Sequence, residues 1–383
     1  MDLKTKIGAV PAMTKTVAFI GTEGGVSFSG LGFETALQKI GQNTGNALFQ
    51  SAMWRLIRNP KMAIGIGTSV ELVREVADML VIPAANQVNP AWDLSAWATF
   101  VEAIDLPIVC IGLGAQAHVG AGTQLNLQPG TERYLRVVAE RTTTIGVRGK
   151  YTQDVLAAIG IENTEVTGCP SQTINNRVRG RTIQEQMDGF AGIENPKLGY
   201  VLGTLEEKAR DTDRYLAGLV REVDHQLILQ TDPRLMSLIH QRDKTMVDMD
   251  YLSWIAQILR PDLDGPQFAD YLLRHGIFYS DARTWIDAMR RTDLVLGLRI
   301  HGAVAAIQAE KLGICVAFDS RTLELAHTMG YPYVRANDIR QGMNLADIVA
   351  AAEFSSDRFD HLRVKKRELI RSILLDAGCL ISD

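Results

Sequence analysis

Cysteine is scarce in this 383-residue chain, and the four that occur, Cys110, Cys169, Cys315 and Cys379, lie far apart. No CxxC is present, which excludes a zinc knuckle and a thioredoxin-like pair. Cys110 and Cys315 sit in the apolar runs PIVCIGLG and GICVAF and read as small core residues. No run of about 18 apolar residues exists, so no membrane-spanning helix is expected. Before the first strand the apolar run IGAVPAM is short and Lys15 interrupts it, so no signal peptide is expected. The cytoplasm is the expected compartment. Basic charge is not in surplus: Lys+Arg is 40, Asp+Glu is 44, and the formal net charge is -4. Proteins that live on nucleic-acid phosphates carry a basic excess, so no nucleic-acid partner is expected.

Several motifs are missing as well. The P-loop pattern GxxxxGK[ST] does not occur. Gly65-Ile66-Gly67, Gly112-Leu113-Gly114 and Gly120-Ala121-Gly122 each lack the third glycine of a dinucleotide fingerprint and read as tight turns. No HExxH or EF-hand pattern occurs, and no metal site is expected. Asp248-Met249-Asp250 copies the DxD of metal-dependent glycosyltransferases but lies in a helix-like stretch, not after a buried strand.

What is present is an ordinary globular composition, 46% hydrophobic and 22% charged, long enough for two to three domains. Short apolar runs alternate with amphipathic stretches of helical length, the pattern of a parallel sheet with crossover helices. In the first half the runs are Val17–Ile20, Met62–Ile66, Met79–Pro83, Pro107–Gly112, Thr144–Val147 and Glu165–Thr167. A Gly/Ser-rich segment, Gly21–Gly32, and a helix from about Asn46 to Arg58 follow the first of them. The polar stretch 176–197 lacks a clear period and reads as a linker. The second half repeats the pattern with Leu198–Leu202, Gln226–Gln230, Ile277–Tyr279, Leu294–Gly297, Ile314–Phe318 and Tyr333–Arg335. Lys244–Arg274 looks helical, and 359–383 reads as a terminal helix able to pack on either domain. The expected architecture is α/β, with two Rossmann-like, doubly wound domains (1–175 and 198–358) facing across a cleft. Ligands in such folds bind beyond the carboxyl ends of the strands.

The segment that stands out is Asp293 to Ala303, where an apolar strand ends at Gly297 and is followed by Arg299, His301 and Gly302. Two residues apart in extended backbone, Arg299 and His301 would point to one side. Gly302 permits close backbone approach, and a helix N-terminus there would favour an anion. The first half offers a counterpart: a strand ends in Arg148 and a helix follows. Downstream, Thr167-Gly168-Cys169-Pro170-Ser171 closes another strand with a hydroxyl-bearing turn. Near the start, Asn43-Thr44-Gly45-Asn46 precedes a helix, where Asn43 or Asn46 would also serve as an N-cap. His118, in GLGAQAHVG, reads as a loop histidine.

These four segments together resemble the polysaccharide pyruvyl transferase family. They are the Asn-x-Gly-polar turn at Asn43–Asn46, the VRxxxT segment from Arg148, the GIxNxxxTGCPS run ending at Ser171, and the LRxHG box at Leu298–Gly302. The resemblance implies a GT-B arrangement of the two domains. It also implies transfer of a pyruvyl group from phosphoenolpyruvate to two hydroxyls of a sugar, as in exopolysaccharide biosynthesis. No further cofactor is implied. The acceptor would be a sugar or a lipid-linked oligosaccharide, and a homo-oligomer is compatible with this. By the same resemblance His301 would be the proton donor. Arg299, Arg148, Gly302, Arg321, Ser320, Asn43, Asn46 and Ser171 would line the substrates. Guanidinium groups grip phosphate and carboxylate in bidentate fashion, which suits this donor. Where the family often carries an acid, this chain has Asn46, so Glu23, Glu34, Asp319 or the leaving phosphate would take the acceptor's proton. Where it often carries a lysine, this chain has Arg321. Two other readings share the fold: a glycosyltransferase using a nucleotide sugar, and a catalytically silent glycan-binding protein.

Overall fold

The computed structural model describes residues 14–116 and 122–382; His118 lies outside them. The first sheet contains β1 (Val17–Ile20), β2 (Lys61–Ile64), β3 (Met79–Pro83), β4 (Ile108–Leu113), β5 (Ile145–Val147) and β6 (Thr164–Val166), in the order β2-β1-β3-β4-β5-β6. The second contains β7 (Leu198–Val201), β8 (His225–Ile228), β9 (Gly276–Ile277), β10 (Leu294–Gly297), β11 (Leu312–Ala317) and β12 (Tyr333–Arg335), in the order β12-β11-β10-β7-β8-β9. Every pairing within both sheets is parallel. Strands β3, β4, β7, β10 and β11 are buried along their whole length, because helices cover both faces. Each expected strand is therefore present, four with the expected ends and the others with ends displaced by at most two residues. The order of the second sheet reverses between β7 and β10, so a crevice opens beyond their carboxyl ends.

Three expectations need correction, and sequence reasoning also missed two helices after β1, Phe28–Leu31 and Phe33–Lys39. Their buried Phe28 and Phe33 belong to the core of the second domain, against the rings of His240 and Phe278. Gly30 and Gly32 mask this apolar spacing in the sequence. The linker also carries a helix, Gly180–Gly189. Only Gly180 and Ile183 are buried in it, too few to give a visible period. Gly180 is needed because a β-carbon there would stand 2.3 Å from the Ser356 carbonyl oxygen. Lys244–Arg274 divides into helices Met249–Leu259 and Gly265–His275, the second starting at an Asp264–Gln267 capping box with a proline in its first turn.

The last correction concerns the terminal helix, Ser356–Asp376, which packs on both domains. Phe359 joins the second core, while Ile370, Ile373 and Leu374 cover the first sheet at Val17, Phe19, Val81 and Val109. The chain after it pairs with residues 56–58. This helix thus bridges the two domains. Leu374→Ala, at a fully buried position, is expected to lower the unfolding free energy by about 2–5 kcal/mol, measured by urea denaturation.

Candidate functional site

Strand β10 stops where two glycines press the chain onto β7. A β-carbon at Gly297 would stand 2.1 Å from the Val201 carbonyl oxygen, and one at Gly302 would stand 2.3 Å from Val201 Cγ2. Gly302 thus makes room for Val201 rather than for a ligand, and its N–H donates to the Arg299 carbonyl at 3.2 Å. Helix Ile300–Gln308 begins at once, with Arg299 as its N-cap residue. His301 is therefore in the first helical turn, not in extended backbone as its spacing from Arg299 suggested. Arg299 turns toward the ends of β7 and β8, donating from Nη2 to Thr231 Oγ1 at 2.6 Å and from Nε to the Gly203 carbonyl at 3.4 Å.

The first domain supplies Arg148 at the end of β5. It is 3% exposed and donates to the carbonyls of Gly112 (2.9 Å) and Ala84 (3.5 Å) and to Asn86 Oδ1 (2.8 Å). The ring of Phe49 lies between the domains, with its centroid 5.7 Å from Arg148 Cζ and 5.8 Å from the His301 ring. The Asn43–Asn46 turn reaches across to the second domain. Thr44 N–H donates to the Gln230 carbonyl beyond β8, and Asn43 Oδ1 accepts the Gly45 N–H at 2.9 Å. Gly45 presses on the imidazole so closely that a β-carbon would stand 3.1 Å from His301 Nδ1 and 2.6 Å from Gln230 Oε1. Asn46 Nδ2 donates back to the Ile40 carbonyl at 3.0 Å, closing this turn. Thr44 Oγ1 and Gln230 Nε2 are buried here with no partner among the described residues. Orphaned polar atoms of this kind mark a place for water or ligand.

A third element closes the site. Helix Ser320–Met329 begins at Asp319, whose Oδ1 accepts from Thr322 N at 2.8 Å. Arg321 donates to Gln116 Oε1 of the first domain at 3.2 Å and pairs with Asp319 Oδ2 at 3.2 Å. Glu324 accepts the N–H and the hydroxyl of Thr152, at 3.1 and 3.2 Å, and so caps helix Lys150–Ala158 from the other domain. Burial raises the Glu324 carboxyl above its usual range. Ser320 stands at the start of this helix. Ser171 does not line an open surface: it is fully buried and its hydroxyl donates to Cys169 Sγ at 3.0 Å. Phe49, Thr231, Gln230, Gln116, Asn86 and Glu324 carry no motif, and sequence reasoning missed them.

The structure brings Arg148, Arg299, Arg321 and His301 together. Among the described residues only Arg321 has an ion-paired carboxylate; Arg148 and Arg299 donate to neutral oxygens. Burial, followed by the fields of Arg148, Arg321 and Arg299, pushes the His301 imidazole down to about 3. Burial also lowers Arg299 to about 10, with Arg321 adding to the effect. Three cations are thus gathered around one buried, neutral imidazole. On the other side of Phe49 a cleft of about 1140 Å3 opens beyond β1, β2 and β3, lined by Glu23, Asn46, Gln50, Trp92, Trp97 and Asp281. Glu34 faces solvent outside it, and Asp319 is committed to its cap and to Arg321.

The imidazole makes a stability prediction. Its ordinary value is 6.5 and its value in the fold is about 3. Between these the unfolded chain binds the extra proton, so stability is present above 6.5 and is lost as pH falls toward 3. Urea unfolding of wild type and His301→Gln at pH 7 and pH 5 should show the wild type losing about 2 kcal/mol relative to the variant. Parallel pH dependences would contradict the depressed imidazole.

The sequence model of the family described as polysaccharide pyruvyl transferase matches residues 33–320, most of the chain. Among solved structures, the chain is similar to UDP-N-acetylglucosamine 2-epimerase from Rickettsia bellii, at 13% identity over 96% of this chain and 97% of that one, with a TM-score of 0.46. It is also similar to UDP-GlcNAc 2-epimerase from Neisseria meningitidis bound to UDP-GlcNAc, at 11% identity over 95% and 100%, with a TM-score of 0.44. No curated protein matches. The match spans the Asn43 turn, Arg148, the Cys169 turn and the Arg299–His301 helix start, and this chain belongs to the polysaccharide pyruvyl transferase family.

Proposed function

We propose that the protein transfers the pyruvyl group of phosphoenolpyruvate to two hydroxyls of a glycan, forming a cyclic ketal and releasing phosphate. The observation that carries this reading is the gathering of three guanidiniums around one buried imidazole, two of them without an ion-paired carboxylate among the described residues. Phosphoenolpyruvate has a phosphate and a carboxylate on one carbon, so it needs cations on more than one side. Arg148 and Arg299, from different domains, would each hold one of these anions, and Arg321 would add charge at the phosphate.

The same electrostatics would time the proton. With the site empty, His301 is neutral at pH 7. A bound polyanion offsets the three cations and raises the imidazole's affinity for a proton, which His301 then delivers to the vinyl C3. The first sugar hydroxyl adds at C2 and loses its proton. The C2–O bond to phosphate breaks, the second hydroxyl takes its place, and its proton is lost in turn. Arginine contacts would stabilise the departing phosphate. The acceptor, a sugar or a lipid-linked oligosaccharide, would lie in the cleft beyond Phe49, where half-exposed Trp92 offers a stacking face. Of the carboxylates considered, Glu23 is exposed and lines that cleft, and it or the phosphate would act as base.

Thermal unfolding tests the donor. Phosphoenolpyruvate at about 100 times its dissociation constant should add roughly 2.7 kcal/mol of stability, and Arg299→Ala should abolish the shift. A shift with uridine diphosphate and none with phosphoenolpyruvate would favour a nucleotide-sugar glycosyltransferase instead.

A further inference from the structure

Cys169 is a fully buried free cysteine for which the pyruvyl-transfer scheme has no use. It nevertheless stands at the back of the imidazole. Its Sγ is 3.8 Å from His301 Nε2, and it receives the Ser171 hydroxyl at 3.0 Å on its other side. The remaining charged groups whose fields act on His301 are Arg148, Arg321 and Arg299. Guanidiniums only donate, so none of them can accept a proton from the ring. Sulfur is both a weak donor and a weak acceptor. With Ser171 donating to one of its lone pairs, the thiol hydrogen is free to point at Nε2.

We propose that Cys169 is a positioning residue for His301. Its S–H donates to Nε2, which places the proton of the neutral ring on Nδ1, and Ser171 holds the thiol in that orientation. The tautomer of a histidine is set by the hydrogen bond its other nitrogen makes. Nδ1 is the nitrogen on the side of Gly45 and Gln230, where the two domains meet and where Gln230 Nε2 and Thr44 Oγ1 have no partner among the described residues. The relay Ser171–Cys169–His301 therefore presents the ring N–H toward Gly45 and Gln230 and keeps the bare nitrogen toward Cys169. When the ring is charged, Nε2 carries the second proton and the sulfur becomes its acceptor, so one contact serves both states. This rests on His301 being the proton donor, as the preceding reading has it. It also gives Ser171 a task behind the site in place of substrate contact.

The test reads the ring nitrogens directly. The chain has seven histidines, so protein labelled with 15N-histidine and recorded without ligand at pH 7 gives a resolvable set of long-range 1H–15N signals. Those absent from His301→Gln belong to His301. The expected pattern is a protonated Nδ1 and a bare, hydrogen-bonded Nε2. Cys169→Ala should change the tautomer ratio about fivefold, the size a single neutral hydrogen bond supplies. Cys169→Ser, which keeps a donor in place, should retain the wild-type pattern. Phosphoenolpyruvate affinity, measured by titration calorimetry, should change less than about twofold in Cys169→Ala, because a lost neutral contact behind the ring leaves the guanidiniums in place. His301 signals unchanged in Cys169→Ala, or a ring protonated on Nε2 in wild type, would overturn the proposal. If wild type fails to bind phosphoenolpyruvate, the donor reading fails, while the nitrogen signals still decide the role of Cys169.

Discussion

Three guanidiniums share a dry space with one imidazole, and the rest of the site is organised around that crowding. Cations of like charge repel, and each is costly to bury alone. Arg148 is tolerated because two carbonyls and an amide oxygen at the ends of β3 and β4 accept its donors. Arg299 is tolerated because Thr231 and Gly203, beyond β8 and β7, do the same. Neutral acceptors satisfy the hydrogen bonds but leave the charge, and that residual charge is what an anionic donor would answer. The imidazole registers it too: burial first, and this field after it, make His301 give up its proton.

The two sheets bring these groups together because each ends its strands toward the other. The crevice between β7 and β10 fixes Arg299 and His301, and β5 carries Arg148 to meet them. Among the contacts that hold the halves in register are the Thr44–Gln230 backbone bond, the Glu324 cap on Thr152, and the helix Ser356–Asp376 lying across both cores. The Glu324 cap matters doubly. It satisfies the helix that follows Arg148, and it comes from the same helix that carries Arg321, so both guanidiniums move with one rigid contact.

Buried parallel strands read as unbroken apolar runs, which is why strands such as β3, β4, β7, β10 and β11 were legible with little shift of their ends. Arg299 and His301 were legible for the opposite reason, as polar residues interrupting an apolar junction. Their geometry was not, because Gly297 ends the strand before the pair and His301 falls in a helical turn. Phe49 was illegible since an aromatic on a helix reads as core. Glu324 was illegible because its partner is 172 residues away in sequence. Ser171 misled: a serine in a turn suggests a surface, and only the fold shows it buried against Cys169, which in turn touches His301. The helices at Phe28–Lys39 were hidden by glycines, and the helix at Gly180–Gly189 by its thin buried face.

The central claim is that the donor's negative charge, once bound among Arg148, Arg299 and Arg321, returns a proton to His301. Proton uptake on binding measures it most directly. Phosphoenolpyruvate is titrated calorimetrically into wild type and His301→Gln at pH 7, in buffers of different ionisation enthalpy. Changes in the donor's own protonation are common to both proteins and cancel in the difference. The account predicts that wild type takes up more protons than the variant, approaching one for each bound donor. Equal proton uptake by the two proteins, with donor bound to both, would contradict it.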